Sequence, residues 1–170
     1  MNPELEKTLR RRIRIWTWLF IIGLFLSGLS AIPLQLQING LVQFTQAATA
    51  AQSTPASAWA DWLVRVQSAV NHTSAEYPFL FYGTDWLAFG HFVIAIAYLG
   101  ALRDPVRNRW LFTFGMIACG LLIPYAFVFG ALRGIPVWWR LIDCSFGVFG
   151  FIPLWLCHRW SGQLENSRAR

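Results

Sequence analysis

Apolar residues run through this chain in four long blocks separated by shorter, more polar stretches. A membrane-crossing helix needs about 20 predominantly apolar residues. Four segments answer to that: about Ile15 to Ile32, Trp86 to Leu102, Trp110 to Leu132 and Val137 to Cys157. The third carries no charged residue, whereas the fourth contains Arg140 and Asp143. The pattern predicts an all-α fold: an integral membrane four-helix bundle, with one transmembrane domain over residues 1–170.

Ahead of the first block the chain reads as a helix start. Asn2 suits the N-cap, Pro3 the first helical position, and Glu4 and Glu6 the positive end of the helix dipole. A helix is therefore expected to enter the first span directly. The basic head raises the question of a cleaved signal peptide, but the Ala48-Thr49-Ala50 triplet lies too far beyond the apolar stretch to serve as its cleavage site.

Composition agrees with the pattern. Hydrophobic residues make up 56% of the chain and charged residues 13%, against roughly 25% charged in soluble domains. The net charge of +6 does not signal nucleic acid, because the basic residues cluster at the ends of apolar blocks. Lys7, Arg10, Arg11, Arg12 and Arg14 precede the first span. Arg103, Arg107 and Arg109 separate the second from the third, and Arg159, Arg168 and Arg170 follow the fourth. Only Arg65, Arg133 and Arg140 remain for the other side, so the positive-inside rule places both termini in the cytoplasm, as in a bacterial inner membrane. Trp16, Trp18, Trp110, Trp155 and Trp160 mark the inner boundary, and Trp86, Trp138 and Trp139 the outer one. Cys119, Cys144 and Cys157 all fall within apolar segments and read as small packing residues, with no C-x-x-C spacing. The short inner loop from Arg103 to Arg109 reads as a topological signal, with Asp104 placed to N-cap a helix starting at Pro105.

Small residues predict where helices approach closely: Gly23 and Ser27 on the first span, Ala88 and Ala95 on the second, Gly147 and Gly150 on the fourth. Pro124 and Pro153 interrupt the third and fourth spans and are expected to kink them.

About 50 residues, Leu34 to Thr84, lie outside, too long for a plain connection. Trp59, Trp62, Leu63, Val66 and Val70 recur at helical spacing with Asp61, Arg65 and Ser68 opposite, which predicts an extracytoplasmic amphipathic helix. Gln46 to Ser57 reads as a mobile linker. The run Tyr77-Pro78-Phe79-Leu80-Phe81-Tyr82 is expected to form an aromatic lid on the bundle or to dock on a partner. Asn71-His72-Thr73 matches a glycosylation sequon, relevant only on a eukaryotic secretory route.

The candidate chemistry lies in ionisable residues inside the spans, which tend to face the bundle interior. His91 and Asp143 each lie about six residues in from the outer side, or roughly 9 Å deep at the helical rise. Helical spacing puts Ala88, Ala95 and Tyr98 on the His91 face, and Arg140, Gly147 and Gly150 on the Asp143 face. The expected ligand-binding cluster is therefore His91, Asp143 and Arg140, with Arg133 and Asp85 at its mouth and Tyr98 deeper. In its structural form, Asp143 pairs with Arg140 or Arg133 and His91 ties helices together. In its functional form, the cluster lines a polar pocket in the outer leaflet between spans two and four. His72 and Glu76, at i, i+4 spacing, are too few for a convincing metal site, and no haem-type pair of histidines within the spans is present.

The sequence thus points to a binding or accessory subunit that contacts membrane lipids and joins a membrane-protein complex or homo-oligomer, with no nucleic acid partner. The alternative is a membrane-embedded enzyme or redox component acting on a lipid-like or quinone-like substrate, with His91 and Asp143 as its acid–base pair. Cofactor and catalytic residues are left open. Transport has less support, since no internal two-fold repeat is evident.

Overall fold

A computed structural model of the chain describes residues 3–52 and 57–168, with side chains through Ser167. Every regular element in it is helical: α1 (Pro3–Ala31), α2 (Leu34–Thr45), α3 (Ala47–Ala51), α4 (Ala58–Glu76), the 3-10 turn Pro78–Phe81, α5 (Tyr82–Arg103), α6 (Arg109–Leu132) and α7 (Val137–Arg168). Four helices are long and apolar enough to cross a membrane: α1, α5 with its preceding turn, α6 and α7. The protein is thus a multi-pass membrane protein. Asn2 lies outside the described residues, but Pro3 opens α1 and Glu4 and Glu6 fill its first turn, as expected.

The chain divides into two compact units. One comprises residues 1–23 and 94–170, the other residues 24–93. The division falls within α1 and α5, each of which supplies residues to both.

In the first unit, α1 buries Leu9, Ile13, Thr17 and Ile21, one residue per turn. α7 buries Leu154, Cys157, Ser161 and Leu164, alternating three and four residues apart, the spacing of near-parallel bundle packing. The Cys157 thiol sits 3.7 Å from both the Thr17 hydroxyl and the Ile13 carbonyl oxygen. Gly147 and Gly150 do give α7 a smooth face: a Cβ on Gly147 would lie 2.8 Å from the Cys119 carbonyl oxygen, and one on Gly150 3.1 Å from the Cys119 sulfur. Outward positions such as Leu121, Phe146 and Phe149 are apolar and exposed, as helices sheathed in lipid require. Arg12 lies over Trp160 and Arg159 over Trp155, so basic heads and indole rings share the boundary at one end of the unit.

α6 and α7 join through a Schellman turn. Gly134 adopts a left-handed φ of 69°, the Ile135 amide donates to the Gly130 carbonyl at 2.8 Å, and the Gly134 amide to that of Ala131 at 3.1 Å. This is the pairing that satisfies the last carbonyls of a helix. Between α5 and α6, Asp104 caps only a turn, accepting from the Val106 and Arg107 amides at 3.1 Å. The expected helix start at Pro105 is displaced to Arg109, because the Asn108 side chain reaches back to the Gly100 and Asp104 carbonyls and closes α5 instead.

In the second unit, α2, α3 and α4 pack around Ile38, Val42, Ala47, Ala60 and Leu63. Much of the expected linker is ordered: Gln46, at φ 52°, ends α2, and Ala47–Ala51 form a short helix. Alanine has the highest helix propensity and adds little bulk, which lets Ala47 be fully buried. Residues 53–56 of that linker lie outside the described residues. α4 extends well beyond the expected Trp59–Val70 stretch at its far end. The packing glycine of α1 is Gly28 rather than the expected Gly23–Ser27 pair. Gly23 and Ser27 are exposed, whereas a Cβ on Gly28 would come within 2.9 Å of the His91 Cβ and 3.0 Å of the Ala88 carbonyl oxygen.

Candidate functional site

The six candidate residues fall into both units, His91 and Asp85 in one and Tyr98, Arg133, Arg140 and Asp143 in the other.

His91 is half-buried on α5 at the point where Gly28 admits it. Its Nδ1 lies 2.8 Å from the carbonyl oxygen of Leu87, one turn back. A carbonyl accepts only, so Nδ1 carries the proton of this hydrogen bond, and in the neutral ring Nε2 holds the lone pair. The ring is therefore oriented and held in one tautomer by its own helix, the arrangement that suits an imidazole to accept a proton or a polar ligand at Nε2. Asp85 is exposed in the first turn of α5, where a carboxylate complements the helix dipole. The aromatic run precedes it. Phe79, Leu80 and Tyr82 are exposed, by 70% in the case of Phe79, while Tyr77 meets His72 and Phe79 edge-on and Tyr82 meets Trp86.

In the other unit, Arg140 does not pair with Asp143. Its Nε donates to the Ile135 carbonyl oxygen at 2.7 Å, and its aliphatic stem packs so closely on Gly130 that a Cβ there would lie 2.7 Å from the Arg140 Cδ. Arg140 thus grips the Schellman turn, where its charge also opposes the negative end of the α6 dipole. Arg133 is exposed at the C-cap of α6. Arg10 pairs with Glu6 and Arg109 with Glu165, and neither Arg133 nor Arg140 forms an ion pair with Asp143 among the described residues. Asp143 is half-buried, one turn beyond Arg140. Tyr98 is almost fully buried. Its hydroxyl donates to the Leu111 carbonyl oxygen at 2.7 Å, and its ring contacts Phe20 and Phe112.

Sequence reasoning did not find a network of amides between α2 and α4. The Asn39 side-chain oxygen accepts from Gln67 and Asn71, both at 3.0 Å, and the Asn71 oxygen accepts from Gln35 at 3.1 Å and Asn39 at 3.3 Å. Ser74 donates to Gln35. Matching amides at i, i+4 on both segments were the available signal. No group of three or more potential metal ligands occurs among the described residues. Compared with protein-family models, curated proteins and solved structures, the chain matches none.

Proposed function

We propose that this protein is a binding or accessory subunit of a bacterial inner membrane, with both termini cytoplasmic, and that it engages its ligand or partner at its outer end. The observation that carries this reading is the aromatic turn. Phe79, Leu80 and Tyr82 stand exposed at the entrance to α5, the helix that presents His91. Large exposed aromatic and aliphatic groups beside a few oriented polar ones are the composition of a recognition surface. The test is native mass spectrometry of protein released from lipid nanodiscs, comparing the natural chain with a Phe79→Ser/Leu80→Ser variant. A bound lipid or stoichiometric protein partner, lost in the variant, is expected. A natural chain that carries neither sinks the reading.

One observation favours a second reading, in which the protein transforms a lipid-like or quinone-like substrate. The His91 ring is oriented by the Leu87 carbonyl so that Nε2, in the neutral ring, is available for proton transfer. His91→Ala would then abolish turnover while leaving a monodisperse, helical protein, and a variant that keeps full turnover sinks this reading.

A further inference from the structure

We propose that α2 is a lipid-embedded helix, its outward face set into the acyl-chain boundary of the outer leaflet. The proposal takes its choice of leaflet from the proposed topology, is otherwise independent of the binding-subunit reading, and rests on three observations.

The first is that α2 buries Ile38 and Val42 yet also exposes large apolar groups on its outer side, while its amides on the inner side find partners in the protein. It directs Gln35 and Asn39 toward α4, where their amides hydrogen-bond with Gln67, Asn71 and Ser74. Its opposite face carries Leu36, Gly40 and Phe44 at successive i+4 positions, with Leu41 beside them. Leu36 is 75% exposed and Phe44 87%. A helix bordering water buries its apolar stripe and solvates its amides. A helix bordering lipid does the reverse, because polar side chains there must find partners within the protein.

The second is continuity with a membrane span. α2 begins at Leu34, after only Ile32 and Pro33 beyond the end of α1. The exposed apolar surface at the end of α1, Phe25, Leu26, Leu29 and Ile32, therefore leads directly into Leu36. Pro33 cannot donate a backbone hydrogen bond, so the chain breaks and turns there without leaving the membrane boundary.

The third is charge. No ionisable side chain occurs between Arg14 and Asp61, so the uncharged stretch that makes α1 a span continues through the whole of α2. Gln43 borders the apolar face beside Leu36, and the exposed Gln37 lies within it between Phe44 and Leu41, a mixture that suits a helix at headgroup depth rather than at the bilayer centre. α4 differs: Asp61 and Arg65 are exposed on it, and the amide network leaves that charged side to water.

The full-length chain is tested in nanodiscs of phosphatidylethanolamine and phosphatidylglycerol, with p-benzoylphenylalanine placed singly at Phe44, Leu36, Leu121 or Asp61. Leu121 on α6 is the lipid-facing standard and Asp61 the aqueous one. After irradiation, intact-mass analysis is expected to show the mass gain of one phospholipid at positions 44, 36 and 121, and none at 61. The proposal is overturned if positions 44 and 36 remain unmodified while 121 reacts, which would mean a water-facing α2. It is equally overturned if they join to a second copy of the chain or to another protein, which would mean that protein covers this face. The four replacements lie at exposed positions, and size-exclusion profiles and helical circular dichroism matching the natural chain establish that each has folded.

Discussion

Tyr98 donates its hydroxyl to the carbonyl oxygen of Leu111 at 2.7 Å, tying α5 to the first turn of α6. The contact needs a glycine. A Cβ on Gly115 would fall onto the Tyr98 hydroxyl and within 2.7 Å of Leu154 Cδ1, so three helices meet at one point. Tyr98→Phe removes the hydrogen bond alone and is expected to cost about 0.5–1.5 kcal/mol, near the low end because polar ties between membrane helices are modest. Gly115→Ala is expected to cost about 1–3 kcal/mol through overpacking. Their combination should cost less than the sum, since Phe vacates part of the space the new methyl needs. Unfolding in mixed micelles titrated with sodium dodecyl sulfate measures all three; strict additivity would mean that the methyl does not meet Tyr98.

Gly28 and Gly23 make opposite predictions from the same residue type on one helix. A methyl on Gly28 meets the His91 Cβ at 2.9 Å and backbone oxygen at 3.0 Å, neither of which can swing aside, whereas a methyl on Gly23 meets nothing within 4 Å. Gly28→Ala should destabilise by about 1–3 kcal/mol. Gly23→Ala should be neutral or stabilise by up to about 1 kcal/mol, because alanine is the better helix former. Melting temperatures in detergent distinguish them, and equal losses at the two sites would remove Gly28 from the α1–α5 contact.

Those two glycines also show how far the sequence could be read. Span number and position follow from the bulk property of apolar length, which no tertiary detail overrides, and α6 begins within one residue of the expected Trp110. Which small residue packs depends on how a helix is rotated about its axis, and the Gly23–Ser27 spacing leaves that rotation free. Arg140 illustrates the same limit for the candidate site. Helical spacing puts it on the Asp143 face, yet its guanidinium finds the carbonyl of Ile135, in a turn whose geometry depends on Gly134. The α2–α4 amides were overlooked because Gln and Asn outside the spans look like solvated loop, until the partner helix is known to carry the complementary groups.

Gly134 and Arg140 together hold the α6–α7 turn, and the two contributions can be separated. A Cβ on Gly134 meets nothing within 4 Å, so the whole penalty of Gly134→Ala is the left-handed backbone, about 1–2 kcal/mol, with Gly134→Asn milder. Arg140→Leu keeps much of the stem's packing but strips the Ile135 carbonyl of its donor, an expected loss of about 0.5–1.5 kcal/mol. Gly130→Ala acts through Arg140 instead. The new methyl lies 2.7 Å from the Arg140 Cδ and 3.1 Å from its Nε, so the stem must move and the bond to Ile135 stretches. In an Arg140→Ala background the stem is gone, and Gly130→Ala should become neutral or stabilising while Gly134→Ala keeps its full cost. Thermal unfolding of the six proteins (the natural chain, three single variants and the two doubles) checks this. A Gly130→Ala penalty that persists without the Arg140 side chain would show that something other than this arginine occupies the space above the glycine.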